Sequence, residues 1–103
     1  MKQQFSKDSF YAASEDVVAR KIENEIILIP IDMDIHDKEN QLYTLNSAAQ
    51  VIWKRLNKGK SLRDIIADLT VEFSAPAKVI EKDVIALVME LLKRKLLVKV
   101  SKN

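Results

Sequence analysis

The chain changes its hydrophobic pattern near Asn46, and that change limits the folds open to it. Before Asn46, β-branched and apolar residues occur in short continuous stretches, which is typical of strands. After Asn46, apolar residues recur every three or four positions, which is typical of amphipathic helices. Asn46 is also a favourable helix N-cap, so the first helix is predicted to begin there.

Three strands are predicted in the first half of the chain. The first covers 17–22 and ends at the polar turn Glu23-Asn24-Glu25. The second covers 26–31 and contains Pro30, which has no amide hydrogen and is therefore expected at a strand end or edge. The third, 42–45, is short and follows a long polar connection. The pattern therefore indicates a three-stranded antiparallel sheet.

Three helices are predicted in the second half. The first ends near Asn57, with the only glycine of the chain, Gly59, in the exit turn. Ser61 is the predicted N-cap of the second helix, and Pro76 suits the first turn of the third, which runs to about Arg94. A short terminal strand is predicted over 96–100. The residues predicted to face inward are Leu62, Ile65, Ile66, Leu69 and Phe73 in the second helix, and Val79, Ile80, Val84, Leu87, Val88, Leu91 and Leu92 in the third.

The order of the elements predicts one α+β domain with its sheet packed on a small helical bundle. Neither half is large enough to bury its own apolar face, so residues 16–103 are assigned to one domain. Residues 1–15 are polar and are predicted to form a loosely held, flexible N-terminal arm. The absence of cysteine excludes disulfides, and no apolar stretch has the length of a signal peptide or a membrane span. Cytoplasmic residence is therefore expected.

Few residues offer catalytic or metal-binding chemistry. Asp32, Asp34 and His36 alternate, so on an extended segment they would share one face and could hold a metal ion. A solvated loop is the favoured interpretation, because the chain has a single histidine and no pair for a zinc site. With one glycine there is also no phosphate-cradling loop. We therefore predict no enzymatic activity, no cofactor and no metal site.

Nucleic-acid binding is the alternative function that the pattern leaves open. The second and third helices, separated by Ser74-Ala75, resemble a helix-turn-helix. A helix that reads bases should present Arg, Lys, Asn or Gln from its first turns. The third helix instead offers two acids and two lysines, namely Lys78, Glu81, Lys82 and Asp83. This balanced charge attracts phosphate poorly, and the net charge of +2 adds little. A nucleic-acid or membrane partner is not predicted.

An ordered set of short motifs resembles a known family. The motifs are Val17-Val18-Ala19-Arg20, Tyr43-Thr44-Leu45-Asn46, Ala49 with Ile52 and Trp53, Gly59 before Ser61, and Asp83-Val84 followed by Leu87, Leu91 and Leu96-Leu97. Together they resemble the PqqD family, peptide-binding modules also called RiPP recognition elements, over about residues 16–100. The family usually has a glycine where Lys95 stands, and the connection 32–40 looks long for it.

The resemblance implies a winged helix-turn-helix fold that does not read DNA. Family members bind the leader of a ribosomally made precursor peptide and deliver it to a modifying enzyme, often a radical SAM enzyme. In the founding case the product is the redox cofactor pyrroloquinoline quinone. The leader adds as a strand to the third strand and lies against the third helix. The expected partners are therefore a precursor peptide and a modifying enzyme.

These expectations select a peptide-binding site on the third strand and the third helix. Leu42 and Thr44 are expected to line a cleft if Leu45 points inward, and Tyr43 would then share the face of Leu45. On the helix, Lys78 and Lys82 could hold acidic leader residues at the rim. The full set is Gln41, Leu42, Tyr43, Thr44, Leu45, Lys78, Val79, Ile80, Lys82, Asp83 and Leu87. Open strand edges would also permit a homodimer or a swapped form.

Overall fold

The computed structural model describes residues 7–31 and 42–100, which form five strands and three helices. In chain order they are β1 (Phe10–Ala13), β2 (Val17–Ile22), β3 (Glu25–Pro30), β4 (Tyr43–Leu45), α1 (Ser47–Leu56), α2 (Leu62–Phe73), α3 (Ala77–Lys93) and β5 (Leu97–Val100). The predicted α+β order, a sheet followed by three helices, is confirmed, and the predicted terminal strand is β5.

The predicted sheet is the antiparallel array β2-β3-β4. A tight turn joins β2 to β3, and Glu23 takes a positive φ of 56° in it. Pro30 is the last residue of β3, as expected for a residue that cannot donate to the sheet. In the register, Leu28 lies opposite Ala19 on one side and Tyr43 on the other. The central strand therefore places Leu28 between its two neighbours on the face that packs on the helices.

The helices begin where the sequence predicts. The Asn46 side-chain oxygen accepts a hydrogen bond from the Ala49 amide at 2.8 Å, and the Ser61 hydroxyl accepts one from the Asp64 amide at 3.2 Å. Each bond satisfies an amide that has no partner within its own helix. Gly59 has a φ of +83° in the α1–α2 turn, a conformation that disfavours any residue with a Cβ.

One hydrophobic core joins the inner face of the sheet to all three helices. Its most deeply buried side chains come from β3, β4, each helix and the segment after α3, and they are Leu28, Leu45, Leu56, Leu62, Ile65, Leu69, Val84, Val88, Leu91, Leu96 and Leu97. Two residues predicted to face inward do not. Phe73 is 48% exposed and Val79 is 49% exposed. They lie at the end of α2 and in the first turn of α3, on either side of the α2–α3 turn, and helical spacing alone mispredicts them.

The segment before β2 is part of the packed fold, which corrects the prediction of a loosely held arm for residues 10–13. β1 pairs antiparallel with β5, and the Tyr11 side chain is only 4% exposed. Just before β1, the backbone oxygen of Ser9 accepts from the Leu62 amide at 3.2 Å, and that of Lys7 accepts from the Arg63 amide at 2.7 Å. These are amides at the start of α2, which need partners from outside the helix.

The exit of α3 has the hydrogen bonds of a Schellman motif. The Leu96 amide donates to the Leu91 oxygen at 2.9 Å, and the Lys95 amide donates to the Leu92 oxygen at 3.0 Å. Lys95 takes a φ of 63°, the left-handed conformation that glycine usually supplies. The position where the family usually has glycine therefore keeps the glycine geometry with a lysine, and the turn directs the chain into β5.

The fold is winged helix-turn-helix-like. α2 and α3 form the helix-turn-helix, with Ser74 in a left-handed conformation at the end of α2. The β2–β3 hairpin forms the wing. In the described part of the chain, no helix is both long and apolar enough to cross a bilayer.

Candidate functional site

β4 is an edge strand within the described residues. It pairs with β3 through Leu45 opposite Ile26, Thr44 opposite Ile27 and Tyr43 opposite Leu28. No strand of residues 7–31 or 42–100 pairs with its other side. An edge of this kind presents amide and carbonyl groups that a further extended chain can bind.

A groove of about 490 Å³ lies beside this strand. It is formed where β4, the first turns of α1 and the middle of α3 come together. Its lining residues are Tyr43, Thr44, Asn46, Ala48, Ala49, Ile52, Asp83, Ala86, Leu87 and Glu90. A volume of roughly 300–1,000 Å³ is usual for sites that bind small molecules.

The groove has an apolar floor and a polar rim. Ala49, Ile52 and Leu87 belong to the core, and each leaves a small part of its surface at the floor. Ala48 and Ala86 are exposed, and their short side chains leave the groove open. The polar lining residues are Thr44, Asn46, Asp83 and Glu90. An apolar side chain could thus be buried while the backbone that carries it stays near polar groups.

Two side chains of the α1 region hold β4 in place. Asn46 directly follows the strand and caps α1, so the end of β4 and the start of the helix are joined at a fixed angle. The Gln50 side-chain amide donates to the Leu45 oxygen at 3.2 Å and to the Asn24 oxygen at 2.8 Å. Gln50 therefore links β4 to the turn of the wing, and this region of the edge is preorganised.

Arg94 and Glu90 hold the Tyr43 ring at the groove. The Arg94 guanidinium carbon lies 4.8 Å from the centre of the Tyr43 ring, within cation–π range. The same guanidinium donates from Nε to Glu90 Oε2 at 2.6 Å. Leu45 points into the core, and Tyr43 packs against that core from the same face, as the alternation predicted.

The structure brings together four of the residues predicted to bind a peptide. Tyr43, Thr44, Asp83 and Leu87 line the groove. Leu45 and Ile80 instead have their side chains in the core and do not line it. Leu42 and Val79 are exposed and do not line it, and Gln41 lies outside the described residues.

The two predicted rim lysines face a different hollow. Lys78 and Lys82 line a more open depression together with Glu81, Ile85, Ala86 and Met89. Ala86 lines both this depression and the groove, so the two lie on either side of one ridge of α3. Lys78 and Lys82 therefore adjoin the groove rather than line it.

Sequence reasoning missed six of the lining residues, namely Asn46, Ala48, Ala49, Ile52, Ala86 and Glu90. The sequence predicts Asn46 as a helix cap and places Asn46, Ala49 and Ile52 in the family motifs, but it does not assign them to the peptide-binding site. Ala48 and Ala86 carry no chemical signal, because their contribution is the absence of bulk. Helical spacing could have found Ala86 and Glu90, which lie three and seven residues after Asp83 and therefore on its side of α3.

No group of acids or histidines suited to a metal ion is present among the described residues. The hypothetical set Asp32, Asp34 and His36 lies outside them, as does the long connection that contains it.

The fold and the open edge define a small winged helix-turn-helix-like domain with a groove beside its third sheet strand. Residues 25–97 match the family described as Coenzyme PQQ synthesis protein D (PqqD), so the chain belongs to that family. A relative, the "PqqA binding protein" of Gluconobacter oxydans (strain 621H), is 38% identical over 66 residues. That alignment covers 64% of this chain and 69% of the relative. The resemblance read from the motifs is thereby confirmed.

The same fold occurs in a solved structure of TbiB1 in complex with the TbiA(beta) leader peptide. The TM-score is 0.71 at 22% sequence identity, and the alignment covers 88% of this chain and 99% of the other. At that identity the likeness establishes the shared winged helix-turn-helix-like architecture.

Proposed function

We propose that this protein binds the leader segment of a ribosomally made precursor peptide and presents it to a separate modifying enzyme. The leader adds as a strand to the open side of β4, and one of its apolar side chains enters the groove against α3. The observation that carries the proposal is the position of this groove directly beside an edge strand that lacks a second partner in the described chain. Strand addition is an established mode of peptide recognition.

The energies show why both the edge and the groove are needed. β4 has three residues, so it can form on the order of three backbone hydrogen bonds, each contributing about 0.5–1.5 kcal/mol. Micromolar affinity requires about 8 kcal/mol. Burying roughly 200 Å² of apolar surface in the groove would supply up to about 5 kcal/mol more, before the entropy cost of association is subtracted. One aromatic side chain buries about that area.

The relatives support the same role. One is named for binding PqqA, and the solved structure with this fold holds a leader peptide. In the proposed complex, alternate residues of β4 contribute backbone groups, and Ala86 and Leu87 form the wall that the anchor side chain contacts. Lys78 and Lys82 would meet acidic leader residues beyond the ridge of α3. The protein has no chemistry of its own in this scheme and works in the cytoplasm, where precursor peptides are made.

Titration of labelled protein with a synthetic PqqA peptide from Gluconobacter oxydans tests the site. Amide shifts are expected in 42–48 and 83–90, and shifts confined to other elements would contradict the proposed site. Ala86→Trp places a large side chain in the groove and should weaken binding at least about tenfold, which corresponds to about 1.4 kcal/mol. Ala67→Trp is the matched control, because Ala67 is exposed on α2 and does not line the groove. Its affinity should equal that of the unmodified protein.

The backbone part of the proposal has a separate test. N-methylation of single peptide amides should weaken binding at alternate positions only, because successive amides of a strand point in opposite directions. Equal effects at all positions, or none, would show that the peptide is not added as a strand.

A further inference from the structure

Among the described residues that line it, the groove carries negative charge and no positive charge. The charged ones are Asp83 and Glu90, both on α3, and none of these described residues is Lys or Arg. Asp83 and Glu90 are seven residues apart, so they lie on one side of the helix at a separation of about 10 Å along its axis. A peptide in the groove therefore passes two carboxylates at different points along its length.

Only one of these carboxylates is neutralised. Glu90 forms an ion pair with Arg94 at 2.6 Å, and the same arginine covers the Tyr43 ring. Asp83 forms no ion pair and no side-chain hydrogen bond with any described residue. The lysine next to it in sequence, Lys82, lines the depression on the other side of the α3 ridge. The free negative charge of the groove is therefore at Asp83.

The surroundings of Asp83 favour a charged peptide side chain over a bound ion. Ala86 and Leu87, the neighbouring lining residues on α3, are apolar and offer no further ligand for a metal. A lysine or arginine can lay its methylene stem along such a surface while its charged end reaches the carboxylate. Complementary charges of this kind contribute mainly to the choice of partner rather than to raw affinity.

We propose that Asp83 makes this protein select leader peptides with a lysine or arginine beside the residue that fills the groove. The inference rests on the proposed function and adds the identity of one leader position. Because Asp83 is exposed, the preference for a basic over a neutral residue should be roughly two- to fivefold in affinity. It should weaken with added salt.

The test is a selection from a displayed library of random 16-residue peptides, run on the unmodified protein, on Asp83→Lys and on Asp83→Asn. Lysine keeps a good helix propensity at this exposed position, and asparagine keeps the shape of the side chain without its charge. Asp68→Lys is the matched control, since Asp68 lies on α2, outside the groove, and gives the same change in net charge. Circular dichroism establishes that each variant is folded.

We expect peptides selected on the unmodified protein and on Asp68→Lys to carry Lys or Arg at one fixed distance from an apolar residue. Asp83→Lys should select Asp or Glu at that position, and Asp83→Asn should show no charge preference. One selected peptide is then synthesised with Lys, Ala or Glu at that position. Calorimetry should show the order of affinities Lys, Ala, Glu on the unmodified protein and the reverse order on Asp83→Lys. If all four proteins selected the same charge at that peptide position, the inference about Asp83 would be overturned and the proposed function would stand. Failure of the unmodified protein to enrich any peptide would overturn the proposed function together with it.

Discussion

β1 and β4 are both short strands, of four and three residues, and they differ in what lies on their two sides. β1 has β5 on one side. On the other, the Ala13 amide donates to the Asn57 side chain at 2.9 Å, and the Ser9 oxygen accepts from the start of α2. Among the described residues, β4 is paired with β3 alone. The described residues thus satisfy both sides of β1 and leave one side of β4 without a neighbouring strand.

The two tyrosines of the chain lie one in each strand and offer the strongest test of this contrast. Tyr11→Ala should lower the free energy of unfolding by about 3 kcal/mol, because it removes an aromatic ring from the core. Tyr43→Ala should cost about 1 kcal/mol, since its ring is only partly buried and is held by Arg94. Tyr43→Ala should weaken peptide binding more than Tyr11→Ala does. Urea unfolding and calorimetric titration measure the two effects.

Tyr11→Phe is the control, because it keeps the ring in the core and should restore most of the stability. If Tyr11→Ala unfolds at the same urea concentration as the unmodified protein, β1 does not contribute to the core. If Tyr43→Ala binds peptide normally, the β4 side of the groove is not the binding site.

The sequence predicts an element well when the signal for it is local. Asn46 and Ser61 correctly predict the starts of their helices, because an N-cap side chain bonds to an amide only three residues away. β1 was missed because its partners are distant: Tyr11 lies opposite Lys99, and Ser9 bonds to Leu62. The four residues of β1 are too few to show a strand period by themselves.

The groove was predictable only in part for a similar reason. Asp83 and Leu87 were found from the family resemblance, whereas Ala48 and Ala86 were not. The residue type does not show that an exposed alanine keeps a groove open, so only the spacing of Ala86 from Asp83 points to it. Helical spacing could have predicted the Glu90–Arg94 pair, because the two residues are four apart, whereas the contact of Arg94 with Tyr43 requires the three-dimensional arrangement of β4 and α3.

A smaller effect is expected at Lys95, the turn that leads α3 into β5. Lys95→Gly should raise the free energy of unfolding by roughly 0.5–1 kcal/mol, because glycine adopts the left-handed conformation without the steric cost of a Cβ. Lys93→Gly is the matched control. Lys93 is the last helical residue of α3, so glycine there should instead lower the free energy of unfolding by up to about 1 kcal/mol. Thermal and urea unfolding of both variants measure the effect, and destabilisation by Lys95→Gly would contradict the left-handed geometry.

The smallest effect concerns the ion pair that helps attach the segment before β1. Arg63 Nε donates to Asp8 Oδ1 at 2.7 Å, and this hydrogen bond, with the attraction of the two charges, holds the pKa of Asp8 below its ordinary value of 3.8. A carboxyl with a lowered pKa in the folded state stabilises the protein above its unfolded pKa. That contribution is lost as the pH falls through the folded value. The pair is exposed, so the effect is small and is screened by salt.

Arg63→Ala keeps the backbone hydrogen bond to Lys7 and removes only the pair. The difference in urea midpoint between the unmodified protein and Arg63→Ala should therefore be present at about pH 6 and should shrink towards about pH 2.5. Asp8→Asn removes the carboxylate, so its urea midpoint should lie below that of the unmodified protein at about pH 6 and approach it at about pH 2.5. Added salt should reduce the difference in urea midpoint between the unmodified protein and Arg63→Ala at pH 6. A difference that stays constant over this range would mean that Arg63 stabilises the segment by packing rather than by charge.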